Sequence, residues 1–176
     1  LWYGNMKSGY FVDEIWSYGL SNSYYHAQIW EDGALDETKV DTKMFEDYLV
    51  VNDGEEFSYG SVIYNQTHDS HPPLFYIVLH TISSFFPGEF NKWFGIIPNI
   101  FYFLVAQVFL YKIGKLFTQN KFFPLMALLL LGFNIAAVNM VTYIRMYMLM
   151  TTFALIFSYF HLKTILNKKI VVSDWI

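Results

Sequence analysis

The chain has 176 residues, of which 55% are hydrophobic, 21% aromatic and only 15% charged. A soluble domain carries about 25% charged residues, so the balance points to a membrane rather than a purely soluble globule. Cysteine is absent, which excludes a disulfide framework and a cysteine-type zinc site, and the net charge of −4 conceals two unlike halves. Residues 1–70 hold thirteen acids and three lysines, whereas residues 71–176 hold two acids and eight bases. That split suggests two environments. The basic half shows no nucleic-acid motif, so no nucleic-acid partner is expected.

The first residues, LWYGNMKSGYFV, are aromatic and glycine-containing, as where a chain leaves a membrane interface. They show neither an initiator Met nor a signal-type apolar segment. The chain is therefore expected to be a fragment of a longer protein, cut after an upstream helix and before later ones. Asp13-Glu14 opens an expected helix over 13–30, whose apolar positions Ile15, Tyr18, Leu20, Tyr24, Tyr25 and Ile29 follow helical spacing only loosely. Two carboxylates at a helix start are favoured by the dipole and the free N–H groups, with or without a chemical role. Residues 31–68 read as loop, with a short helix over 42–51 and a short extended piece over 57–64. Asn65-Gln66-Thr67 fits a glycosylation sequon, a match common by chance.

Pro72-Pro73 then starts a helix over 74–86 that Pro87-Gly88 closes. At about 14 residues it is roughly 21 Å long, short of the ~30 Å membrane core. Three uncharged runs are better spans: 93–111, then 122–144 with its span at 122–138, then 146–162. Lys112, Lys115 and Lys121 separate the first two, and Lys163, Lys168 and Lys169 follow the third. If 74–86 does not span, all six lysines share one side, and the positive-inside rule puts that side in the cytoplasm. The expected fold is thus all-α and integral to the membrane. Residues 1–91 form an extracytoplasmic loop with juxtamembrane helices, 92–169 form three transmembrane helices, and 170–176 begin the next segment.

That topology brings Asp13-Glu14, Asp69-x-His71 and Arg145 with Tyr147 to one face. A carboxylate can accept the proton of an attacking hydroxyl, and a guanidinium can stabilise a phosphate leaving group. Asp69 and His71 could hold a divalent metal ion, position a phosphate, or simply cap the helix begun by the prolines. His80 and His161, on apolar segments, read as packing or interfacial residues. Arg145 lies between two apolar runs, where a mid-membrane position would cost at least about 2.5 kcal/mol. It is expected at an interface or facing a polar cavity.

The ordered set of a Gly9–Glu14 entry, Asp69-x-His71-Pro72-Pro73-Leu74-x-Tyr76 and Arg145-x-Tyr147 resembles bacterial GT-C membrane glycosyltransferases. These are the polytopic enzymes related to protein O-mannosyltransferases and the lipid A aminoarabinose transferase. DEIWSYGLSNS and FSYGSVIYNQTHDSHPPLFYIVLH look especially like that family's first extracytoplasmic loop. The resemblance implies a sugar donor carried on polyprenyl phosphate and used at the outer face of the bacterial cytoplasmic membrane. It implies Asp13 as catalytic base with Glu14 supporting it. His71, Arg145 and Tyr147 would contact the donor phosphate, and Asp69 with His71 would form the possible metal site. Relatives often carry Gln-Glu-x-Arg where this chain has Thr142-Tyr143-Ile144-Arg145, so one family acid is missing.

The expected function is inverting transfer of a sugar from the polyprenyl-phosphate donor to an acceptor hydroxyl on a glycan, lipid or protein. The 176 residues alone are not expected to be active. Two other classes compete: a polytopic transporter or flippase of lipid-linked sugars, and a non-catalytic membrane scaffold. No internal repeat of the transporter kind is visible.

Overall fold

The computed structural model describes residues 1–29 and 42–166. Trp30 at the end of the expected helix, Lys168, Lys169 and the segment from 170 lie outside the described residues. Those residues form nine helices and no strand. They divide into two compact units, the first being 1–98 with 143–146, the second 99–142 with 147–176.

The first unit is built on α2 (Val12–Asn22). Glu14 is buried, and so is every residue from Ser17 to Asn22, which encloses the C-terminal half of the helix on all sides. Several of these side chains are small and polar, and they bond inward. The hydroxyls of Ser17 and Ser21 donate to the carbonyls one turn back, and Asn22 Nδ2 donates to the Leu49 carbonyl at 2.8 Å. Tyr18 is wholly buried and its hydroxyl donates to the Asn91 carbonyl at 2.6 Å. The helix stops at Asn22, short of the expected end at 30. Ser23 is extended and its hydroxyl donates to the Gly19 carbonyl, while Tyr25 turns into the left-handed region at φ 48°. Tyr25 N–H donates to Ser61 Oγ instead of continuing a helix.

Around α2 pack α3 (Thr42–Leu49), α4 (Tyr59–Thr67) and α5 (Leu74–Ser83). A short α1 (Trp2–Met6) precedes it. The expected extended piece at 57–64 is a helix from Tyr59. Its buried positions Ser61, Val62, Asn65 and Gln66 have helical spacing, and Ser58 accepts the first backbone bonds. Asn65, the sequon residue, is buried and donates to the Leu20 and Ser23 carbonyls.

α5 begins directly after Pro73, as the prolines dictate, and ends at Ser83 in a turn, three residues before the expected 86. Its buried face, Phe75, Tyr76, Leu79, His80 and Ser83, is part of this unit's core. Each large apolar side chain there contributes about 1.5–3 kcal/mol by leaving water. His80 is 1% exposed, and burial pushes its pKa down, with the Glu55 carboxylate opposing. The unfolded chain takes up this proton near pH 6.5, whereas the fold resists it, so stability falls as pH drops below that value. The thermal midpoint should therefore fall between about pH 7.5 and about pH 5.5, and His80→Leu should flatten that slope. A slope unchanged in the variant would assign the effect to other groups.

The second unit carries the long apolar helices. α6 (Trp93–Phe117) has 25 residues and begins in the first unit. It runs six residues past the expected 111, because Lys112 lays its ammonium 4.8 Å from the Phe109 ring instead of ending the helix. The expected span over 122–138 is two helices, α7 (Phe122–Gly132) and α8 (Ile135–Thr142), bent by 58°. The first ends at Gly132, a weak helix former, with Phe133 as its cap, and Asn134 Oδ1 accepts from Ala136 N–H to start the second. α9 (Tyr147–Leu166) replaces the expected 146–162. Thr152 Oγ1 donates to the Tyr102 carbonyl of α6 at 2.9 Å.

At about 1.5 Å per residue, α6 and α9 can each cross a ~30 Å hydrocarbon core. Among the described residues two helices are long and apolar enough to span, or three if the bent pair is one span. The chain is an all-α, membrane-associated protein.

Candidate active site

The site lies wholly within the first unit, at the start of α2. Phe11 N–H donates to Glu14 Oε2 at 2.8 Å, a capping-box bond that fixes the entry to the helix. Asp13 follows on the exposed side, and Glu14 turns inward, fully buried. Lys7 Nζ reaches Glu14 Oε2 at 2.8 Å. The other oxygen, Oε1, accepts the backbone N–H of Ile144 at 2.8 Å. Glu14 therefore ties the 7–11 stretch and the helix start, which are adjacent in sequence, to the distant 143–146 segment. Its carboxylate is fully engaged by donors, which suits a supporting place beside Asp13 rather than proton transfer.

The 143–146 segment between α8 and α9 supplies the cation. Arg145 is the only arginine of the sequence and is 6% exposed. Its Nη1 donates to the Asp13 carbonyl at 3.2 Å, and its Nη2 lies 3.3 Å from His71 Nε2. Nε is buried without a partner. Among the described residues no carboxylate comes within ion-pairing distance of this guanidinium. On its far side His71 Nδ1 meets Asp69 Oδ2 at 2.7 Å. Asp13, Trp16, Gln28, His68, Asp69 and Arg145 line a cavity of about 250 Å³.

Comparison with protein-family models, curated proteins and solved structures finds no match. The site is accordingly read on its own chemistry.

Asp13, Asp69, His71 and Arg145 are thus brought together, as the motifs led one to expect. Tyr147 opens α9 in the second unit and is half-exposed. The expected metal site fits poorly. A divalent ion there would have one carboxylate and one imidazole, and the imidazole's outward nitrogen already faces a guanidinium. No group of three or more His, Cys, Asp or Glu suited to a metal occurs among the described residues.

Tyr143 was not among the expected site residues. Its hydroxyl donates to Asp13 Oδ2 at 2.8 Å, and its ring meets Phe11 edge-on at 5.7 Å. Burial, then the bond to Asp13 and that carboxylate's charge, push its pKa up to about 12, against the opposing charge of Arg145. The phenol therefore stays a donor at any physiological pH. It engages one oxygen of Asp13, while no bond to Oδ1 occurs among the described residues. The sequence held one signal for this residue: Tyr143 stands where the resembling family carries an acid.

Proposed function

We propose that the chain is the N-terminal part of a membrane glycosyltransferase that moves a sugar from a polyprenyl-phosphate donor to an acceptor hydroxyl. One observation carries this reading: a buried guanidinium with no carboxylate partner among the described residues faces the same cavity as a surface-side carboxylate, Asp13. An unpaired buried cation is expensive, and a phosphate supplies the missing anion through the guanidinium's planar fork. A drug-sized ligand site measures about 300–1,000 Å³, so this smaller cavity suits a single sugar-phosphate head group.

The step balances without a cofactor. Asp13 Oδ1 takes the proton of the acceptor hydroxyl as its oxygen attacks the anomeric carbon. The bond from that carbon to the phosphate oxygen breaks, and polyprenyl phosphate leaves with its charge against Arg145. A single displacement inverts the anomeric centre. Tyr143 holds the other carboxylate oxygen, and Glu14 holds the two segments in register. The lysines flanking the apolar helices support an active site on the outer face of the bacterial cytoplasmic membrane, in a multi-pass protein.

Asp13→Asn tests the assignment, because it keeps the shape and removes the base. In the full-length protein, release of polyprenyl phosphate from a labelled donor should fall by about 10²-fold or more, with membrane insertion unchanged. Turnover equal to wild type would remove Asp13 from the chemistry. Donor movement without any release in the wild type would identify a flippase instead.

A further inference from the structure

We propose that Asp69 and His71 act on the ligand through Arg145: the pair locks His71 as the Nδ1–H tautomer, whose bare Nε2 holds the guanidinium facing the cavity. An arginine side chain is always protonated and can only donate. Its Nη2 lies 3.3 Å from His71 Nε2, so that nitrogen must present its lone pair. The proton of the neutral ring then sits on Nδ1, where Asp69 Oδ2 accepts it at 2.7 Å. The other tautomer would set N–H against N–H at Arg145 and a lone pair against the carboxylate at Asp69. Only one state satisfies both contacts.

This state leaves His71 no N–H to offer an anion and no lone pair to offer a metal. It also gives the guanidinium a second fixed point, the first being the Asp13 carbonyl that accepts from Nη1 at 3.2 Å. Two fixed N–H groups set the plane of the fork before a ligand arrives, which lowers the ordering cost of binding. Asp69 and His71 are then positioning residues. The identity of the ligand rests on the glycosyl-transfer reading, but the tautomer does not.

Nitrogen-15 NMR of the full-length protein, labelled at histidine, tests the tautomer directly. One ring should show a protonated Nδ1 and a bare Nε2. That signal should vanish in His71→Gln, and its Nε2 resonance should move in Arg145→Met. An Nε2–H or doubly protonated His71 overturns the proposal. Binding of undecaprenyl phosphate tests the consequence. His71→Ala should weaken it about tenfold, and His71→Gln, whose carboxamide oxygen can accept from the same N–H, should recover most of the loss. On the Arg145→Met background His71→Ala should cost nothing further. Additive losses would mean that His71 touches the anion itself, which also overturns it. If wild type binds no undecaprenyl phosphate, the glycosyl-transfer reading fails, and the nitrogen spectrum still decides the tautomer.

Discussion

Replacing Arg145 by Met should weaken binding of undecaprenyl phosphate by about 10²-fold or more while leaving the thermal midpoint of the full-length protein unchanged or higher. The opposite signs follow from the same geometry. A hydrogen bond to a charged group is worth about 1.5–3 kcal/mol, and a guanidinium gives a phosphate two of them. Losing both weakens binding by about 10²-fold or more. The folded protein, however, carries this cation 6% exposed with no carboxylate partner among the described residues. Desolvating such an ion costs several kcal/mol, which its two bonds, to the Asp13 carbonyl and to His71 Nε2 at about 1.5–3 kcal/mol each, do no more than offset. A side chain of similar length and no charge removes the penalty. Arg145→Lys should fall between, since an ammonium keeps the charge but cannot present a planar fork. A midpoint several degrees lower in Arg145→Met, with phosphate binding intact, would make Arg145 a structural residue and remove the observation on which the function rests.

What could be read from the sequence, and what could not, divides along a physical line. The apolar helices were legible because twenty or so uncharged residues have few other solutions, and Pro72-Pro73 fixed the start of α5 to the residue. Charge alone misplaced the end of α6, because Lys112 lies over aromatic rings and the helix continues. Nothing in hydropathy marks the break between α7 and α8, which rests on Gly132 and the Asn134 cap. The burial of α2 was hidden for a different reason. Its Glu14, Ser17, Ser21 and Asn22 read as polar surface until their bonding partners are known.

The site divides in the same way. Asp13, Asp69, His71 and Arg145 stood out in the sequence, although the first three also fit plain helix capping and only Arg145, between apolar runs, lies where a charge is costly. Tyr143 was marked only by its place two residues before Arg145, because a tyrosine in an aromatic-rich chain says little until its hydroxyl is found on Asp13. The division of labour within Asp13-Glu14 was invisible. Adjacent residues on a helix point about 100° apart, so one carboxylate faces the cavity and the other the interior.

That interior carboxylate gives the largest expected effect on stability. Glu14→Gln should destabilise the first unit by about 3–5 kcal/mol, seen as a lower thermal midpoint and earlier proteolysis around 143–146. The carboxylate accepts three bonds, from Lys7 Nζ, Phe11 N–H and Ile144 N–H. A carboxamide has one accepting oxygen, and its NH₂ would face a donor. Lys7 would also lose its counter-charge in a place where its side chain is only 11% exposed. A second variant separates these causes. Glu14→Leu combined with Lys7→Met removes both charges, so any remaining loss reports the two stranded backbone N–H groups at about 1–3 kcal/mol each. We expect only partial recovery, because Ile144 N–H has no other acceptor and the segment bearing Arg145 is tied to α2 through it. Full recovery would show that the ion pair alone mattered. Lost turnover with an unchanged midpoint in Glu14→Gln would instead return Glu14 to the chemistry as a second acid.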